Sequence, residues 1–235
     1  MTCPDPDTCP VDPNLPQSIT SAAKLARSPW YNVSRHPEVF NKSGRGDSRF
    51  NPLFGDDGNV LPHAYLAQNH VAALLETALH DTWGSENVVE RSDLEGLRLR
   101  AVTPRAEHLM ADIRDAQLAR YGLVRENLVS CPSAHYPCTR EWASTRTRMQ
   151  IDGQATSGFV WNSRQAEIAA AHADAPMRVL LTVVEQAGHI AVLYDHDNAG
   201  DALFETQTIY EDLSRGDGFE FVRQTATLVG LTVAI

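Results

Sequence analysis

The stretch that decides the fold is AYLAQNHVAALLETALHD, residues 64 to 81, which predicts the end of an apolar strand followed directly by an amphipathic helix. A helix that begins near Asn69 has apolar residues at the i, i+3, i+4, i+7 spacing of a core-facing side, namely Val71, Leu74, Leu75, Ala78 and Leu79. Glu76 lies one step round from that side, on a flank otherwise formed by Ala72, Ala73 and His80. Because small neighbours let a ligand approach the helix closely, this carboxylate is either solvated or functional.

The chain before this unit is rich in residues that favour irregular structure. Residues 1 to about 16 carry several prolines and few apolar side chains, so an irregular arm is expected, and SITSAAKLARSP (18–29) could form a brief helix that stops at Pro29. From Trp30 to Leu61 the abundant Gly, Asn, Asp and Pro predict long loops with short extended pieces. Loops of this length inside a compact domain are often functional.

The middle of the chain predicts both strands and helices. LEGLRLRAV (94–102) is typical of a strand, and Thr103 followed by Pro104 is a helix start signal with a matching stop at Gly122, so residues 105–121 are predicted to be helical. A further helix is predicted in TREWASTRTRMQ (139–150), and a strand in TSGFVWNS (156–163).

The C-terminal part predicts mostly strands. MRVLLTVVEQAGHIAVLYD (177–195) is typical of a hairpin, and strands are predicted in ALFETQTIY (202–210), GFEFV (218–222) and ATLVGLTVAI (226–235). Loops and helices come first and strands later, with little regular βαβ alternation. The predicted class is therefore α+β with a mixed sheet, rather than a doubly wound sheet.

Composition limits the functions that the chain can have. The 235 residues are 43% hydrophobic, which is enough for one sizeable domain, and the net charge of -10 argues against direct nucleic-acid binding, which needs many Lys and Arg residues. The N-terminus lacks the basic and apolar regions of a signal peptide, and no apolar run is long enough to span a bilayer. We expect a cytoplasmic protein that does not bind membranes.

The four cysteines fall in two pairs, Cys3 with Cys9 and Cys131 with Cys138, and His135 lies inside the second pair. Structural zinc sites favour tighter C-x2-4-C spacings, so these wider gaps argue against zinc. The simpler interpretation is cytosolic thiols, and no metal is expected.

The candidate catalytic residues are identified by the order of four short segments along the chain, because no single segment is specific enough. SRFNP contributes Arg49, HAYLA contributes Tyr65, AALLETALHD contributes Glu76, and GFVWNSRQ contributes Ser163. In this order and spacing, the four segments resemble the RES-domain family of bacterial toxins, which are named for an arginine, a glutamate and a serine. The resemblance covers roughly residues 30 to 235, so residues 1–29 form the arm and 30–235 the RES domain.

The resemblance implies a fold like that of the ADP-ribosyltransferase toxins, with a mixed sheet core flanked by helices, and an activity that cleaves the nicotinamide–ribose bond of NAD. It implies catalytic roles for Glu76, Arg49 and Ser163, and NAD contacts by Arg49, Tyr65 and Ser163. NAD is then the substrate, and a separately encoded antitoxin of the Xre or helix-turn-helix type is the expected protein partner. A homo-oligomer remains open.

Several alternatives stay open at this point. The glycine that usually precedes the family arginine is Ser48 here, so Arg35 or Arg45 could take the arginine role, and Arg35 is retained as a candidate NAD contact. Glu76 could be solvated, and Ser163 could simply cap the helix SRQAEIAAAHA (163–173). The rival functions are transfer of ADP-ribose to a macromolecule, and a RES-like binding module without catalysis.

Overall fold

A computed structural model describes Cys9, Val11, and residues 20–80, 82, 87–121, 123–172 and 188–234. Its strands are β1 (Ala22–Leu25), β2 (Trp30–Ser34), β3 (His63–Ala67), β4 (Val88–Val89), β5 (Arg98–Pro104), β6 (His108–Asp112), β7 (Gln150–Ile151), β8 (Gln154–Ala155), β9 (Gly158–Asn162), β10 (His189–Tyr194), β11 (Phe204–Tyr210) and β12 (Thr232–Val233). Its α-helices are α1 (His70–Leu75), α2 (Asp115–Leu118), α3 (Arg125–Leu128), α4 (Tyr136–Ser144), α5 (Arg164–His172) and α6 (Gly216–Leu228). Short 3-10 helices cover Arg91–Leu94, Ala119–Tyr121, Ser133–His135 and Gly200–Leu203.

Eight of these strands form one mixed sheet in the order β1-β6-β9-β10-β3-β2-β5-β11. Strands β6 and β9 pair in parallel, and the other neighbours in the sheet pair antiparallel. Two small ribbons, β12 with β4 and β7 with β8, lie outside this sheet. The predicted α+β class with a mixed sheet is therefore confirmed.

Residues alternate between two apolar cores on the two faces of the sheet. On β10, Ile190 and Val192 belong to the larger core, while Ala191 and Leu193 belong to the smaller one. Because both faces of this central strand are covered, HIAVLY is apolar almost throughout instead of alternating with polar residues. The larger core also receives the buried sides of helices α1, α4, α5 and α6.

Helix α1 begins where the sequence predicts. The Asn69 side chain caps it by accepting a hydrogen bond of 2.8 Å from the backbone N–H of Ala72. Leu74 and Leu75 are completely buried, and burial of such a side chain stabilises the fold by roughly 1.5–3 kcal/mol. The helix is shorter than predicted, because Glu76 already serves as its C-cap. Packing of the leucines therefore fixes the direction in which Glu76 leaves the helix end.

The helix predicted over 105–121 is wrong. Residues 98–104 and 108–112 form the strands β5 and β6, and helical structure is confined to α2 and the short 3-10 helix Ala119–Tyr121 after it. Met110 packs in the smaller core and Ala111 in the larger one, which is the two-residue period of a strand. The Thr103–Pro104 start signal was overridden by pairing with distant strands, since β6 joins β1 and β9 while Pro104 ends β5 beside Phe204.

Other predicted elements also differ. The brief helix in 18–29 is replaced by strand β1, which pairs with β6. The strand predicted at GFEFV (218–222), and the first part of the one at 226–235, lie in helix α6, whose buried residues Gly218, Val222, Thr225 and Ala226 follow a helical period. The first half of the predicted hairpin over 177–195 lies outside the described residues, whereas its second half is β10. In the described part of the chain, no helix has the length and apolar character needed to cross a bilayer.

Candidate active site

A pocket of about 650 Å³ opens beside α1, β2 and β3, and its wall includes Arg49, Tyr65 and Glu76. This volume lies within the range of roughly 300–1,000 Å³ that is usual for small-molecule sites. The three residues come from a loop, a strand and a helix end, and only the fold brings them together. Arg35 and Arg45 also line the pocket, whereas Ser163 lies just behind the wall, against Glu76.

Glu76 is held by a single, well-oriented hydroxyl. The half-buried carboxylate accepts a hydrogen bond of 2.5 Å at Oε1 from Oγ of Ser163. Ser163 is 2% exposed and follows β9 directly, and its Oγ also accepts a hydrogen bond of 3.0 Å from the backbone N–H of Ala166 in the first turn of α5. Ser163 therefore caps α5 and also contacts Glu76, while its role in the site stays a prediction.

The Glu76 carboxylate lies between the ends of two helices. As the C-cap of α1 it sits at the partially negative end of one helix, while the hydroxyl that it contacts caps the partially positive start of another, α5. The contact with Ser163 offsets the unfavourable helix end and fixes one carboxylate oxygen. Glu76 is half-buried on the pocket wall, and its catalytic role stays a prediction.

Arg49 is anchored to the segment before and within α4. Its Nη2 donates a hydrogen bond of 3.2 Å to the carbonyl of Cys131, and its guanidinium lies 5.1 Å from the ring centre of Tyr136. Its own carbonyl accepts a hydrogen bond of 2.6 Å from Oγ1 of Thr139. Within the described chain, its buried Nε has no hydrogen-bond partner. Arg49 therefore retains donor capacity for an anionic ligand.

Two acids in the loop that carries Arg49 have other partners. Asp47 pairs with Arg140, and Asp57 accepts hydrogen bonds from Asn59. Among the residues that the structure describes, no carboxylate forms an ion pair with Arg49. A cation that no acid balances is what a negatively charged ligand requires in a protein of net charge -10.

The other two arginines sit differently in the pocket. Arg35 is exposed and donates from Nε to the carbonyl of Glu95 at 3.0 Å and from Nη2 to the carbonyl of Asp93. Arg45 is exposed as well. Both side chains therefore add positive charge at the pocket wall, but Arg49 is the more enclosed of the three.

Tyr65 projects from β3 into the same pocket. Its hydroxyl lies 3.0 Å from Oγ of Ser48, and its ring packs edge-on against Trp161 at 5.9 Å. Burial raises the pKa of Tyr65 to about 12, against which the Ser48 hydrogen bond and the nearby Arg49 act only in part. The phenol therefore stays protonated at neutral pH and can donate a hydrogen bond while its ring offers an aromatic face.

Several residues on the pocket wall were missed by the sequence reasoning. Trp161, His80, Thr77 and Tyr136 also line the pocket, although none of them is among the four candidate residues. His80 lies four residues after Glu76, a spacing that indicates proximity on a helix. Tyr136 offers no such local signal, because it lies far in sequence from the other lining residues and beside Arg49 only in the folded protein.

Comparison with protein-family models gives a match to the RES domain over residues 22–195, which is most of the chain and includes all four candidate residues. The match begins at β1, upstream of residue 30, where the sequence resemblance was placed. Neither the curated proteins nor the solved structures contain a match to this chain.

Proposed function

The chain belongs to the RES-domain family, and from this premise we propose that it is an enzyme that consumes NAD by cleaving the bond between nicotinamide and ribose. The observation that carries the proposal is the Glu76 carboxylate, oriented by Ser163 on the wall of a pocket that also presents Arg49. The Glu76 carboxylate is suited to stabilise a cation, and the Arg49 guanidinium is suited to hold the pyrophosphate. These are the two charges that the reaction on NAD needs.

The chemistry follows from how the bond breaks. As the bond from ribose C1′ to the nicotinamide nitrogen lengthens, its electron pair moves to nicotinamide and quenches the pyridinium charge, while positive charge builds on C1′ and the ring oxygen. A fixed carboxylate beside that centre lowers the barrier. An oxygen nucleophile then bonds to C1′ and gives up its proton. In this scheme Glu76 stabilises the transition state, and Ser163 positions it.

The remaining pocket residues suit the rest of the dinucleotide. The planar fork of Arg49 matches two pyrophosphate oxygens, and the exposed Arg35 and Arg45 add positive charge nearby. The Tyr65 ring and its protonated hydroxyl fit stacking on nicotinamide and hydrogen bonding to ribose. The proposed NAD contacts are therefore Arg49 and Tyr65 first, with Arg35 at the edge. Ser163, the fourth predicted NAD contact, is not on the pocket wall and is proposed to act through Glu76.

The proposal extends to the protein's setting, as a cytoplasmic toxin neutralised by an antitoxin of the Xre or helix-turn-helix type that covers the pocket. Family membership supports this part. Co-expression with a helix-turn-helix protein encoded beside this chain should block NAD loss. If NAD loss continues in a complex that purifies intact, the partner does not cover the pocket.

The test of the enzyme activity is product analysis on purified protein. We expect one nicotinamide to be released for each NAD consumed. The reaction is then run with and without inorganic phosphate. The ribose-containing product shows whether water or phosphate is the acceptor. NAD labelled in the adenosine moiety, incubated with cell extract, tests for transfer, since label fixed to macromolecules would favour the transferase alternative. No loss of NAD in any condition would favour the inactive binding module.

A further inference from the structure

A cluster of soft metal ligands lies outside the pocket, where the N-terminal arm meets the start of α4. The ligand atoms of Cys9, His135 and Cys138 all lie within 4.8 Å of one another. We propose that these three residues bind one Zn²⁺ ion, which links Cys9 to the start of α4. The argument for this site does not rest on the proposed activity on NAD.

Local structure explains two of the three ligands. His135 ends the 3-10 helix Ser133–His135 and serves as the N-cap residue of α4, and Cys138 follows three residues later within α4. Residues three apart on helical backbone share one side, so the imidazole and the thiol point to a common position. Both residues are fully or partly buried, which shields a metal centre from competing water.

The third ligand comes from more than a hundred residues away in sequence, and it has an anchor of its own. Val11, two residues after Cys9, is 4% exposed and belongs to the larger core. The Cys9 thiol donates a hydrogen bond of 3.5 Å to the Val11 carbonyl, and Cys9 itself packs against the same core. Cys9 and Val11 therefore pack against the larger core, in a position that brings the Cys9 thiol close to the start of α4.

The donor set selects the metal. Two thiolates and an imidazole favour a soft or borderline ion, and zinc accepts this combination in tetrahedral geometry with bonds of about 2.3 Å to sulfur and about 2.0–2.1 Å to nitrogen. Such bonds place ligand atoms about 3.8 Å apart or less, so the observed cluster needs only a small contraction. Binding replaces the protons of both thiols, and two thiolates neutralise Zn²⁺. The fourth position of the tetrahedron can hold water or another donor.

The three ligands lie next to residues of α4 that contact Arg49. Tyr136 lies between His135 and Cys138 and contacts Arg49, and Thr139 follows Cys138 and donates to the Arg49 carbonyl. A zinc ion at the start of α4 would therefore hold the segment that supports one side of the pocket. The spacing of the cysteines along the chain does not reveal this site, because Cys9 joins the other two only in the folded protein.

The first measurement is the metal content of the full chain, purified under reducing conditions without chelator. We expect about one zinc per chain after gel filtration. The apoprotein, prepared with a chelator and reductant, is then titrated with Co²⁺. Two thiolate ligands in a tetrahedral site should give a sulfur-to-cobalt charge-transfer band and intense visible d–d bands, both displaced by one equivalent of Zn²⁺.

Variants assign the ligands. Cys9→Ser and Cys138→Ser should each reduce the charge-transfer band by about half or abolish metal binding, whereas Cys131→Ser, a buried cysteine outside the cluster, should retain the full band. His135→Cys guards against variants that simply fail to fold, because it should retain the metal and raise the band by roughly half, from two thiolates to three. Circular dichroism of each apoprotein checks the fold.

Three results would overturn the proposal. These are zinc-free protein whose apo form shows no cobalt bands in excess Co²⁺, bands that persist unchanged in Cys9→Ser, and bands that are lost in a folded Cys131→Ser variant. The last two would assign the metal to a different set of ligands.

Discussion

The hydroxyl of Ser163 donates a hydrogen bond of 2.5 Å to Oε1 of Glu76, a residue 87 positions earlier in the chain. The same oxygen of Ser163 accepts a hydrogen bond from the first turn of α5. The orientation of the carboxylate is therefore coupled to a helix start rather than to a flexible side chain. A group held in this way needs little reorganisation when charge develops beside it.

Replacement of Glu76 by Gln tests the central residue. The amide has nearly the same shape and can still accept from Ser163, so NAD binding and folding should persist, while the turnover rate at saturating NAD should fall by about 10²- to 10³-fold. Nicotinamide release by wild type and variant is the measurement, with a thermal melt beside it. The matched control is Glu126→Gln, on an exposed position outside the pocket. Equal rates for Glu76→Gln and wild type would remove Glu76 from the mechanism.

Ser163→Ala separates positioning from binding. Loss of the cap should lower the free energy of unfolding by about 1 kcal/mol, and loss of the carboxylate contact should lower kcat by roughly tenfold with little change in KM. Ser163→Thr retains a hydroxyl and should recover most of the rate. A loss of stability in the alanine variant with unchanged kcat would make Ser163 a cap and nothing more.

Arg49→Lys retains the positive charge but removes the planar fork. We expect the Kd for NAD, measured by calorimetry, to rise roughly tenfold or more, since a lysine cannot pair with two phosphate oxygens at once. Arg35→Lys is the comparison variant and should weaken NAD binding less, because Arg35 lines the same pocket but its guanidinium already donates to two carbonyls. Normal binding by Arg49→Lys together with weak binding by Arg35→Lys would transfer the role to Arg35.

His63, on the pocket wall, should make stability depend on pH. Burial lowers its pKa from 6.5 to about 4, and in the described chain its buried Nδ1 has no hydrogen-bond partner. Above pH 6.5 the imidazole is neutral in both states, so it imposes no penalty. As the pH falls from 6.5 towards 4, only the unfolded chain takes up the proton, and up to about 3 kcal/mol of stability is lost.

Denaturant unfolding of wild type and His63→Gln at a series of pH values isolates this contribution from the other histidines. The difference between the two free energies of unfolding should be constant above pH 6.5 and should shift in favour of the variant below it. A difference that stays constant from pH 4 to 8 would show that His63 titrates normally in the folded protein.

Local signals predicted local structure well. The Asn69 cap, the Ser163 cap and the strand at HAYLA depend on residues that are close in sequence, and all three are found in the structure. The helix predicted over 105–121 was wrong because its start signal is weaker than pairing with β1 and β9, strands whose arrangement short windows do not contain. The predictions for the segments that form β1 and α6 were wrong for the same reason, because their structure depends on contacts with distant residues.

The residues of the candidate site likewise fall into those that could be predicted from the sequence and those that could not. Arg49, Tyr65 and Glu76 could be identified in order along the chain because each lies in a short recognisable segment, and the structure places all three on one pocket. Tyr136 and Trp161 could not be identified, since their positions depend on how α4 and β9 pack. The contact between Ser163 and Glu76 likewise exists only after the sheet has formed.

The sheet order sets the time at which the site first exists during synthesis. Strand β3, which leads to Glu76, and strand β9, which leads to Ser163, do not pair with each other, because β10 lies between them and pairs with both. A nascent chain whose residues 189–194 are still inside the ribosomal exit tunnel therefore has no strand to join the two halves. The hydrogen bond between Ser163 and Glu76 therefore forms only after residues 189–194 have left the ribosome and entered the sheet.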